Sequence, residues 1–371
     1  MNWMILFLGL YGALLILIAV LGYFIQRMRE GGYKGDESDH IANQNVVVVI
    51  PFRNEEKRIK VILDSIRALN YYPGEFIFVN DHSEDNSVER VKTLSDEIPY
   101  RVLELPEGLK GKKAAIRHAI TNSDSEYILT MDADISFHSD YFLNLSRLSN
   151  SDMYVLPAIM VADKFWKHLF EVDLLLVNAF NCGLSGWFRP IIASGANLLF
   201  RRDAFEQFDR LETHEHMPSG DDIYLLRDFR NANAKIRLMT DPGLSINTET
   251  PQTIKEFFNQ RLRWVAKTGD VKDHLSTMLA ILQGVLTLVF VGLLIVEISN
   301  ENWSSFIGLL LAKMLIDMLV FLVFFNRSRR LRSWFFIPAY ELIYPFYLIT
   351  IAGMMYFFKP EWRGRKLERN F

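Results

Sequence analysis

Two kinds of hydrophobic pattern divide the chain. Residues 3–25 contain no charged side chain, and two further long apolar stretches follow at about 275–298 and 306–325. About 20 consecutive apolar residues are enough to cross a bilayer as a helix. From Asn45 to about Pro251, short apolar runs alternate instead with segments of helical periodicity. The pattern therefore predicts a globular domain inserted between membrane helices.

The globular region has the pattern of a mostly parallel α/β sheet. Val46–Ile50 is an almost uninterrupted apolar run, which is typical of a central strand covered on both faces. Apolar residues then recur at helical spacing across 58–69. Further strands are predicted at 76–79, 101–105, 127–131, 190–193 and 198–200, with a helix at 112–120. The order predicts a Rossmann-like sheet that binds its ligand at the carboxyl ends of the strands.

The first apolar segment, residues 1–26, predicts an uncleaved membrane anchor. It has no basic start and no cleavage pattern of a signal peptide, and Arg27 and Arg29 follow it directly. Short flanking segments rich in Lys and Arg stay on the cytoplasmic side. We therefore expect an integral protein of a bacterial cell membrane, with the linker 27–44 and the domain 45–250 in the cytoplasm.

The membrane region at the C-terminal end, 274–358, is predicted to hold three helices, at about 275–298, 306–325 and 334–358. Lys313 and Asp317 lie four residues apart on one face of the second helix. Charges at membrane depth are costly, so this face should be buried, either as a packing ion pair or in contact with an acceptor head group.

The third of these helices contains Pro345, which favours a break into a re-entrant hairpin. Such a hairpin would keep the basic tail, 359–371, in the cytoplasm. An amphipathic interfacial helix with basic residues is predicted before the membrane region, at 251–273. Its apolar side chains should rest on the membrane surface: Ile254, Phe257, Phe258, Leu262 and Val265. Lys255, Arg261 and Lys267 should attract anionic lipid.

Composition narrows the class of protein. Half of the 371 residues are hydrophobic, which is too apolar for an ordinary soluble domain of this length. The formal net charge of −3, without a basic arm in the polar region, gives no electrostatic footprint for nucleic acid. The single cysteine, Cys182, excludes an internal disulfide and is expected to fill a core position.

Acidic clusters follow several of the predicted strands. Asp81 follows the strand at 76–79, Asp132 and Asp134 follow 127–131, and Asp221 and Asp222 precede a helical pattern. The spacing of Asp132 and Asp134 can direct two carboxylates at one divalent cation. The residues alone leave two alternatives open, a solvated turn at 132–134 and helix capping at 221–222.

Taken in order, these motifs resemble the membrane-bound family-2 glycosyltransferases, whose relatives include ceramide glucosyltransferases and the cellulose and hyaluronan synthases. The matching runs are PFRNE at 51–55, VNDHS at 79–83, GKKAA at 111–115, DAD at 132–134, GAN at 195–197, DD at 221–222 and QRLRW at 260–264. The resemblance covers 46–264 and extends to the flanking helices. It implies a GT-A fold, a nucleotide-diphosphate sugar donor, a divalent Mg²⁺ or Mn²⁺ ion and inversion at the anomeric carbon.

The resemblance also implies roles for individual residues. In the donor site, Asp81 would contact a uracil base, and the other nucleotide-binding residues would be Pro51, Glu55, Lys112 and Asp132. Asp134, together with Asp132, would bind the metal ion. Asp222 matches the catalytic base, whereas Asp221 stands where the family usually has Glu, which leaves their division of labour open.

The remaining motifs are implied to serve the diphosphate and the acceptor. Gly195 and Asn197 would border the donor sugar and the acceptor. Gln260, Arg263 and Trp264 would close the site, with Arg263 near the diphosphate and Trp264 at the acceptor end.

We therefore predict a metal-dependent inverting hexosyltransferase. It would move a sugar, from a UDP-sugar, to a hydroxyl of a lipid or lipid-linked acceptor at the cytoplasmic membrane face. One alternative is a processive polysaccharide synthase, which normally carries more spanning helices. Another is a transporter or membrane scaffold, with the acidic clusters as surface loops. The sequence leaves the donor sugar, the acceptor and the oligomeric state open.

Overall fold

A computed structural model describes residues 2–32, 40–209, 221–271, 273–357, 361–362 and 365–366. The chain divides into two units. The sheet unit comprises Arg27–Val161 and Arg189–Glu249, and the helical unit comprises Met1–Gln26, Ala162–Phe188 and Thr250–Phe371. The sequence predicted 45–250 as one uninterrupted domain, so the assignment of Ala162–Phe188 to the helical unit is new.

The strands form two sheets in the sheet unit and a short hairpin in the helical unit. They are β1 Val46–Phe52, β2 Glu75–Asn80, β3 Tyr100–Glu104, β4 Tyr127–Met131, β5 Ile135–Phe137, β6 Met153–Val155, β7 Ala158–Val161, β8 Asn197–Arg201, β9 Ile236–Leu238, β10 Ile246–Glu249, β11 Glu361–Trp362 and β12 Arg365–Lys366. The seven-stranded sheet has the order β3-β2-β1-β4-β8-β6-β9, and β5-β10-β7 form a second sheet. Strand β8 runs antiparallel to β4 and β6. The predicted mixed α/β fold is confirmed.

The helices, in chain order, are α1 Asn2–Leu15, α2 Gly22–Gly31, α3 Lys60–Arg67, α4 Ser87–Val91, α5 Lys112–Thr121, α6 Tyr141–Leu145, α7 His168–Trp187, α8 Arg202–Phe208, α9 Asp221–Asn231, α10 Ile254–Val271, α11 His274–Ser299, α12 Trp303–Arg327, α13 Leu331–Trp334 and α14 Ile337–Phe357. A π-helical segment, Ile16–Leu21, joins α1 to α2. Within the described residues, short 3₁₀ turns at Asn43–Asn45, Phe165–Lys167 and Pro242–Leu244 complete the helical elements.

The register of the main sheet places several loops at one edge. Strand β1 lies between β2 and β4, as predicted, and its first five residues are fully buried. Phe52 pairs with Asn80 in parallel, so the loops after β1 and β2 begin side by side. Met131, the last residue of β4, pairs with Asn197, the first residue of the antiparallel β8. The loop after β4 and the turn before β8 therefore meet at this same edge.

One predicted strand is absent from the sheet. Residues 190–193, which were predicted as a strand, have no regular secondary structure. Ile191 and Ala193 are nevertheless buried, at 7% and 9% exposure. Their apolar character reflects packing in the turn that leads into β8, which is why the pattern was mistaken for a strand.

Within the described part of the chain, five helices are long and apolar enough to cross a membrane, namely Trp3–Gly31, Phe165–Trp187, His274–Ser299, Trp303–Arg327 and Ile337–Phe357. Helices α11 and α12 match the predicted positions. The first helix continues to Gly31, past the predicted end at residue 26. The break expected in the last helix is wrong, because Pro345 lies inside a continuous α14. The tail residues 358–360, 363–364 and 367–371 lie outside the described residues.

Helix α7 packs closely on the first helix within the helical unit. A Cβ atom built on Gly183 would lie 2.3 Å from the Ile18 carbonyl oxygen, and one on Gly186 would lie 1.9 Å from the Gly22 carbonyl oxygen. Trp187 Nε1 donates a hydrogen bond of 3.0 Å to the Leu17 carbonyl in the π-helical segment. Glycine is therefore required where these two backbones meet.

A buried ionic cluster also holds the helical unit together. Lys313 Nζ lies 2.8 Å from Asp317 Oδ2 and contacts the Glu341 carboxylate as well. Tyr11 donates a hydrogen bond of 2.6 Å to Asp317 Oδ1. Asp317 is only 1% exposed, so the predicted burial of this helix face is confirmed. The cluster joins α1, α12 and α14 as a packing contact. Cys182, 1% exposed, fills a core position as expected.

Candidate functional site

Asp81, at the end of β2, is one of the most buried acidic residues at the shared edge of the sheet, at 4% exposure. Its Oδ2 accepts a hydrogen bond of 3.0 Å from the Gly111 N–H. Gly111 has φ 92°, a conformation suited to glycine, at the start of α5. Among the residues that the structure describes, Asp81 Oδ1 is buried without a hydrogen-bond donor. Such an oxygen is suited to accept an N–H group from a ligand.

The loop after β1 is bound to the loop after β2 by backbone-to-side-chain hydrogen bonds. The N–H groups of Asn54 and Glu55 donate to Ser83 Oγ and Ser87 Oγ, at 3.0 and 2.7 Å. The Glu56 N–H donates to Asp85 Oδ2 at 3.0 Å. Asp85 also lies at the start of α4, where its Oδ1 accepts a hydrogen bond of 3.1 Å from the Ser87 N–H.

Asp132 and Asp134 follow β4, as predicted, and Arg58 contacts the second of them. Arg58 Nη1 lies 3.2 Å from Asp134 Oδ2, and its Nη2 lies 2.7 Å from Glu55 Oε2. Burial, followed by the charge of Asp132, raises the pKa of the Asp134 carboxyl, and Arg58 acts in the opposite direction. The sequence prediction missed Arg58. Its only signal was a basic residue three positions after Glu55, in a loop at the ligand edge.

Lys112 links three of the predicted site segments. Its Nζ lies 2.8 Å from Asp132 Oδ1 and donates a hydrogen bond of 3.2 Å to the Gly195 carbonyl. Lys112 follows Gly111 directly, which is the partner of Asp81. The first turn of α5 therefore connects the β2 edge to the β4 and β8 edges.

Asp222 completes this set. Its Oδ2 accepts a hydrogen bond of 3.1 Å from the Gly195 N–H, and its Oδ1 accepts one of 2.8 Å from the Ile223 N–H. Gly195 thus bonds to Lys112 through its carbonyl and to Asp222 through its N–H. A continuous chain of contacts runs from Asp81 to Asp222, all within the sheet unit. The side chain of Asp221 lies outside the described residues.

Two of the residues predicted to contact a ligand have buried side chains. Asn197 is fully buried, and its Nδ2 donates to the carbonyls of Pro157 and Leu244 at 2.8 and 2.9 Å. Its Oδ1 accepts from Tyr141 Oη at 2.5 Å. The Asn197 side chain therefore joins three internal segments, and its place beside the donor sugar and the acceptor stays a prediction. Glu55, 3% exposed, contacts Arg58, and its contact with the nucleotide stays a prediction as well. Pro51 lies within β1 opposite Val79.

The QRLRW motif lies on α10, in the helical unit. Arg261 is 3% exposed, and its Nε bonds to Asp173 Oδ2 at 2.5 Å, so the expectation that it attracts lipid is wrong. Phe257 and Leu262, predicted to rest on the membrane surface, are buried at 6% and 1% exposure. Ile254 remains 61% exposed. Gln260, Arg263 and Trp264 are partly buried. The side chain of Lys267 lies outside the described residues.

The acidic pair after β4 fits a divalent metal ion that also binds a substrate. Within the described residues, no group of three or more His, Cys, Asp and Glu side chains is arranged to hold a metal. Asp132 and Asp134 are 43% and 29% exposed, and their charges act on each other. Mg²⁺ commonly takes one or two carboxylates from the protein and its other ligands from phosphate and water. A cation would relieve the repulsion between the two carboxylates, which after burial is the second cause of the raised pKa of Asp134.

A mixed sheet with these carboxylates on its ligand edge defines a GT-A glycosyltransferase domain. Residues 47–209 match the family described as Glycosyl transferase family 2, so this part of the chain is a domain of that family.

Relatives extend the similarity beyond the sheet unit. The chain is 24% identical to a hyaluronan synthase of Streptococcus pyogenes, over 96% of this chain and 91% of the relative. It is 27% identical to the probable glycosyltransferase YdaM of Bacillus subtilis, over 59% of this chain and 54% of that protein. A solved structure, the mannosyltransferase PcManGT from Pyrobaculum calidifontis in complex with GDP-Man and Mn²⁺, shares the fold with a TM-score of 0.52. That alignment covers 94% of this chain and 99% of the other, at 16% identity.

Proposed function

We propose that the protein is a metal-dependent inverting hexosyltransferase that uses a nucleotide-diphosphate sugar, with a UDP-sugar as the first candidate donor. The acceptor would be a hydroxyl of a lipid or lipid-linked molecule at the cytoplasmic membrane face. The observation that carries the proposal is the chain of contacts from Asp81 through Lys112 to Asp222. Within the sheet unit, this chain of contacts brings together groups suited to bind a nucleobase and a diphosphate and to accept the proton of an acceptor hydroxyl.

In the donor half, the unpaired Asp81 Oδ1 accepts an N–H of the base. Lys112 and Arg58 supply positive charge to the diphosphate, and Arg58 can do so with two N–H groups. Asp132 and Asp134 would hold a Mg²⁺ or Mn²⁺ ion, which when bound neutralises charge on the departing diphosphate. That the structural relative was solved with GDP-Man and Mn²⁺ supports a nucleotide sugar and a divalent ion, and it makes GDP-sugars part of any donor test.

In the acceptor half, Asp222 takes the proton of the acceptor hydroxyl as its oxygen attacks C1 from the face opposite the diphosphate. The hydrogen bonds from the Gly195 and Ile223 N–H groups orient the carboxylate. No covalent enzyme intermediate is required. Gly195, whose N–H group binds the catalytic base Asp222, would border the donor sugar. Gln260, Arg263 and Trp264 would contact the diphosphate and the acceptor.

The membrane orientation is proposed from charge. Arg27 and Arg29 follow the first apolar helix, and Arg327, Arg329, Arg330 and Arg332 follow α12. Both basic segments favour the cytoplasmic side, which is the side of soluble nucleotide sugars. The sheet unit would therefore work in the cytoplasm on an acceptor that is presented by the membrane.

A second candidate is a processive polysaccharide synthase. The similarity to a hyaluronan synthase favours it, because it spans nearly the full length of both chains and includes the membrane helices. Membership of a glycosyltransferase family argues against the transporter or scaffold alternative.

The test uses detergent-purified protein with Mn²⁺ and a panel of UDP- and GDP-sugars, and follows donor consumption. Addition of EDTA should abolish consumption, and excess Mn²⁺ or Mg²⁺ should restore it. Mass spectrometry of the products formed with membrane lipid distinguishes one added sugar from a polymer ladder. Consumption of polyprenyl-phosphate sugars without any nucleotide sugar would overturn the proposal.

A further inference from the structure

Arg261, inside the QRLRW motif, is the centre of a buried cluster that joins three helices of the helical unit. Its Nε bonds to Asp173 Oδ2 of α7 at 2.5 Å. Tyr340 of α14 donates to the other oxygen, Asp173 Oδ1, at 2.6 Å. Arg261 and Asp173 are 3% and 4% exposed. Both oxygens of the carboxylate are therefore engaged, and the pair is shielded from solvent.

The guanidinium of Arg261 also contacts two other motif residues directly. Its centre lies 4.1 Å from the Trp264 ring and 4.6 Å from the Phe257 ring. Its Nη1 donates a hydrogen bond of 3.0 Å to Gln260 Oε1. Phe257 in turn stacks on Phe170 of α7 at 4.2 Å. One planar group therefore sets the positions of the Gln260 amide and the Trp264 indole.

The chemistry of this contact determines what Gln260 can present to a substrate. A guanidinium only donates hydrogen bonds, so the amide oxygen must face Arg261. The Gln260 amide group then presents its NH₂, a donor suited to a phosphate or hydroxyl oxygen. The direction of that donor depends on the plane of the guanidinium, and Asp173 fixes this plane through Nε.

We infer that Asp173 is a positioning residue for the transfer reaction, acting through Arg261 on Gln260 and Trp264. The inference rests on the proposed function, in which those two motif residues contact the diphosphate and the acceptor. Asp173 and Tyr340 do not touch the substrate. They hold the motif helix in the geometry that the transition state requires.

The test compares two buried acidic residues of the same helix. Asp173→Asn removes the charge that orients Arg261 and keeps the size of the side chain. Glu171→Gln is the matched control, because Glu171 is 2% exposed and lies near His168 and Arg330, at 3.1 and 3.6 Å, and makes no hydrogen bond or ion pair with a described residue of α10. Both variants remove the charge of a buried carboxylate, so a general loss of stability should affect them alike.

We expect Asp173→Asn to lower kcat by about 10- to 100-fold, since small displacements of positioned groups have effects of this size. KM for the nucleotide sugar should stay nearly unchanged, because the motif acts on the transition state. Glu171→Gln should keep kcat near wild type at a comparable Tm. Arg261→Lys keeps the charge but loses the planar fork, so it should be as slow as Asp173→Asn. The double variant Asp173→Asn/Arg261→Lys should be no slower than either single variant.

A second readout does not depend on turnover. Amide hydrogen exchange over residues 254–264 should increase in Asp173→Asn and remain at the wild-type rate in Glu171→Gln. The inference is overturned if the two variants lose kcat in equal measure at equal Tm, or if exchange over 254–264 is unchanged in Asp173→Asn. If the wild type consumes no nucleotide sugar, the proposed function fails, and the exchange measurement still decides whether Asp173 braces the motif.

Discussion

At the scale of single residues, the acidic side chains of this protein differ in what their neighbours allow them to do. Asp81 has one buried oxygen bonded to Gly111 and another without a donor among the described residues. Asp222 accepts two backbone N–H groups, which orient it. Asp173 has both oxygens bound within the helical unit. These environments separate a candidate ligand-binding group, a candidate base and a proposed structural brace, although all three are aspartates.

The role of Asp222 can be separated from that of its neighbour Asp221 by parallel amide substitutions. Asp222→Asn can still accept the Gly195 N–H, so folding and donor binding should be preserved. Loss of the proton acceptor should lower kcat by about 10²- to 10⁴-fold. Asp221→Asn should have a much smaller effect. Steady-state kinetics of both variants, with Tm as the folding check, test this. Equal loss in the two variants would contradict a single base at Asp222.

Sequence motifs located the acidic residues of the site, but they did not predict the burial and the hydrogen-bond partners of every side chain. Asp81 and Asp132 follow parallel strands, which present their carboxyl ends at one edge, and the structure brings Lys112 and Asp222 to the same edge. The family resemblance, and not the strand pattern, implies a ligand contact for Asn197. Its burial depends on Pro157, Leu244 and Tyr141, which come from distant parts of the chain. Arg58 was missed because its partner, Asp134, is 76 positions away.

At the scale of elements, loops and helices are held by a few specific contacts. The loops after β1 and β2 are bound through Ser83, Asp85 and Ser87. Helix α7 is bound to the first helix through glycine backbones. Sequence periodicity predicted most of the strands and helices, but it missed α7, whose apolar run is interrupted by Lys167, Glu171 and Asp173. These charges pair with other elements, and such pairing is not visible in a local pattern.

The contact of Asp85 makes the stability of the sheet unit depend on pH. Burial disfavours its charged form, but hydrogen bonds from Ser87 Oγ and the Glu56 and Ser87 N–H groups outweigh this and hold the pKa of Asp85 below its usual value. A lowered folded-state pKa stabilises the protein above the unfolded value, about 3.9, and the benefit is lost as pH falls through the folded value.

Asp85→Ala should therefore destabilise the protein by about 1 kcal/mol near neutral pH, a size typical of lost capping contacts. The difference in Tm between wild type and variant should shrink below about pH 4, since Asp85 becomes protonated in both states of the wild type. Thermal unfolding of both proteins across pH 3–7 measures this difference in Tm. A difference that grew on acidification would contradict the assigned direction of the shift.

The packing of α7 on the first helix is tested by two glycine substitutions. Gly183→Ala places a Cβ 2.3 Å from the Ile18 carbonyl oxygen, so one helix must move. We expect a loss of about 1–3 kcal/mol, as for other overpacked sites. Gly353→Ala, in α14, meets nothing within 4 Å and should be neutral or stabilising by up to about 1 kcal/mol. The Tm values of the two variants are compared in detergent. Equal shifts in Tm would count against a close contact between α7 and the first helix.

At the scale of the whole molecule, the number of membrane crossings decides the topology. Helix α7 has the length of a spanning helix, but its first two turns contain His168, Glu171 and Asp173, and Lys167 directly precedes it. The apolar remainder, 174–187, is about 21 Å long, shorter than a hydrocarbon core of about 30 Å. The chain also enters α7 from β7 and leaves it toward β8, two strands of the sheet unit. We therefore expect α7 to begin and end on the same membrane face.

Cysteine accessibility tests this topology, because Cys182 is the only cysteine of the chain and is buried. In a Cys182→Ser background, Lys164→Cys and Phe188→Cys flank α7 at exposed positions, and Asn300→Cys lies between α11 and α12. In sealed vesicles, a membrane-impermeant maleimide should label the first two from one side and Asn300→Cys from the other. Labelling of Lys164→Cys and Phe188→Cys from opposite sides would make α7 a true crossing. The sheet unit would then have segments on both faces of the membrane, which a single folded sheet does not permit.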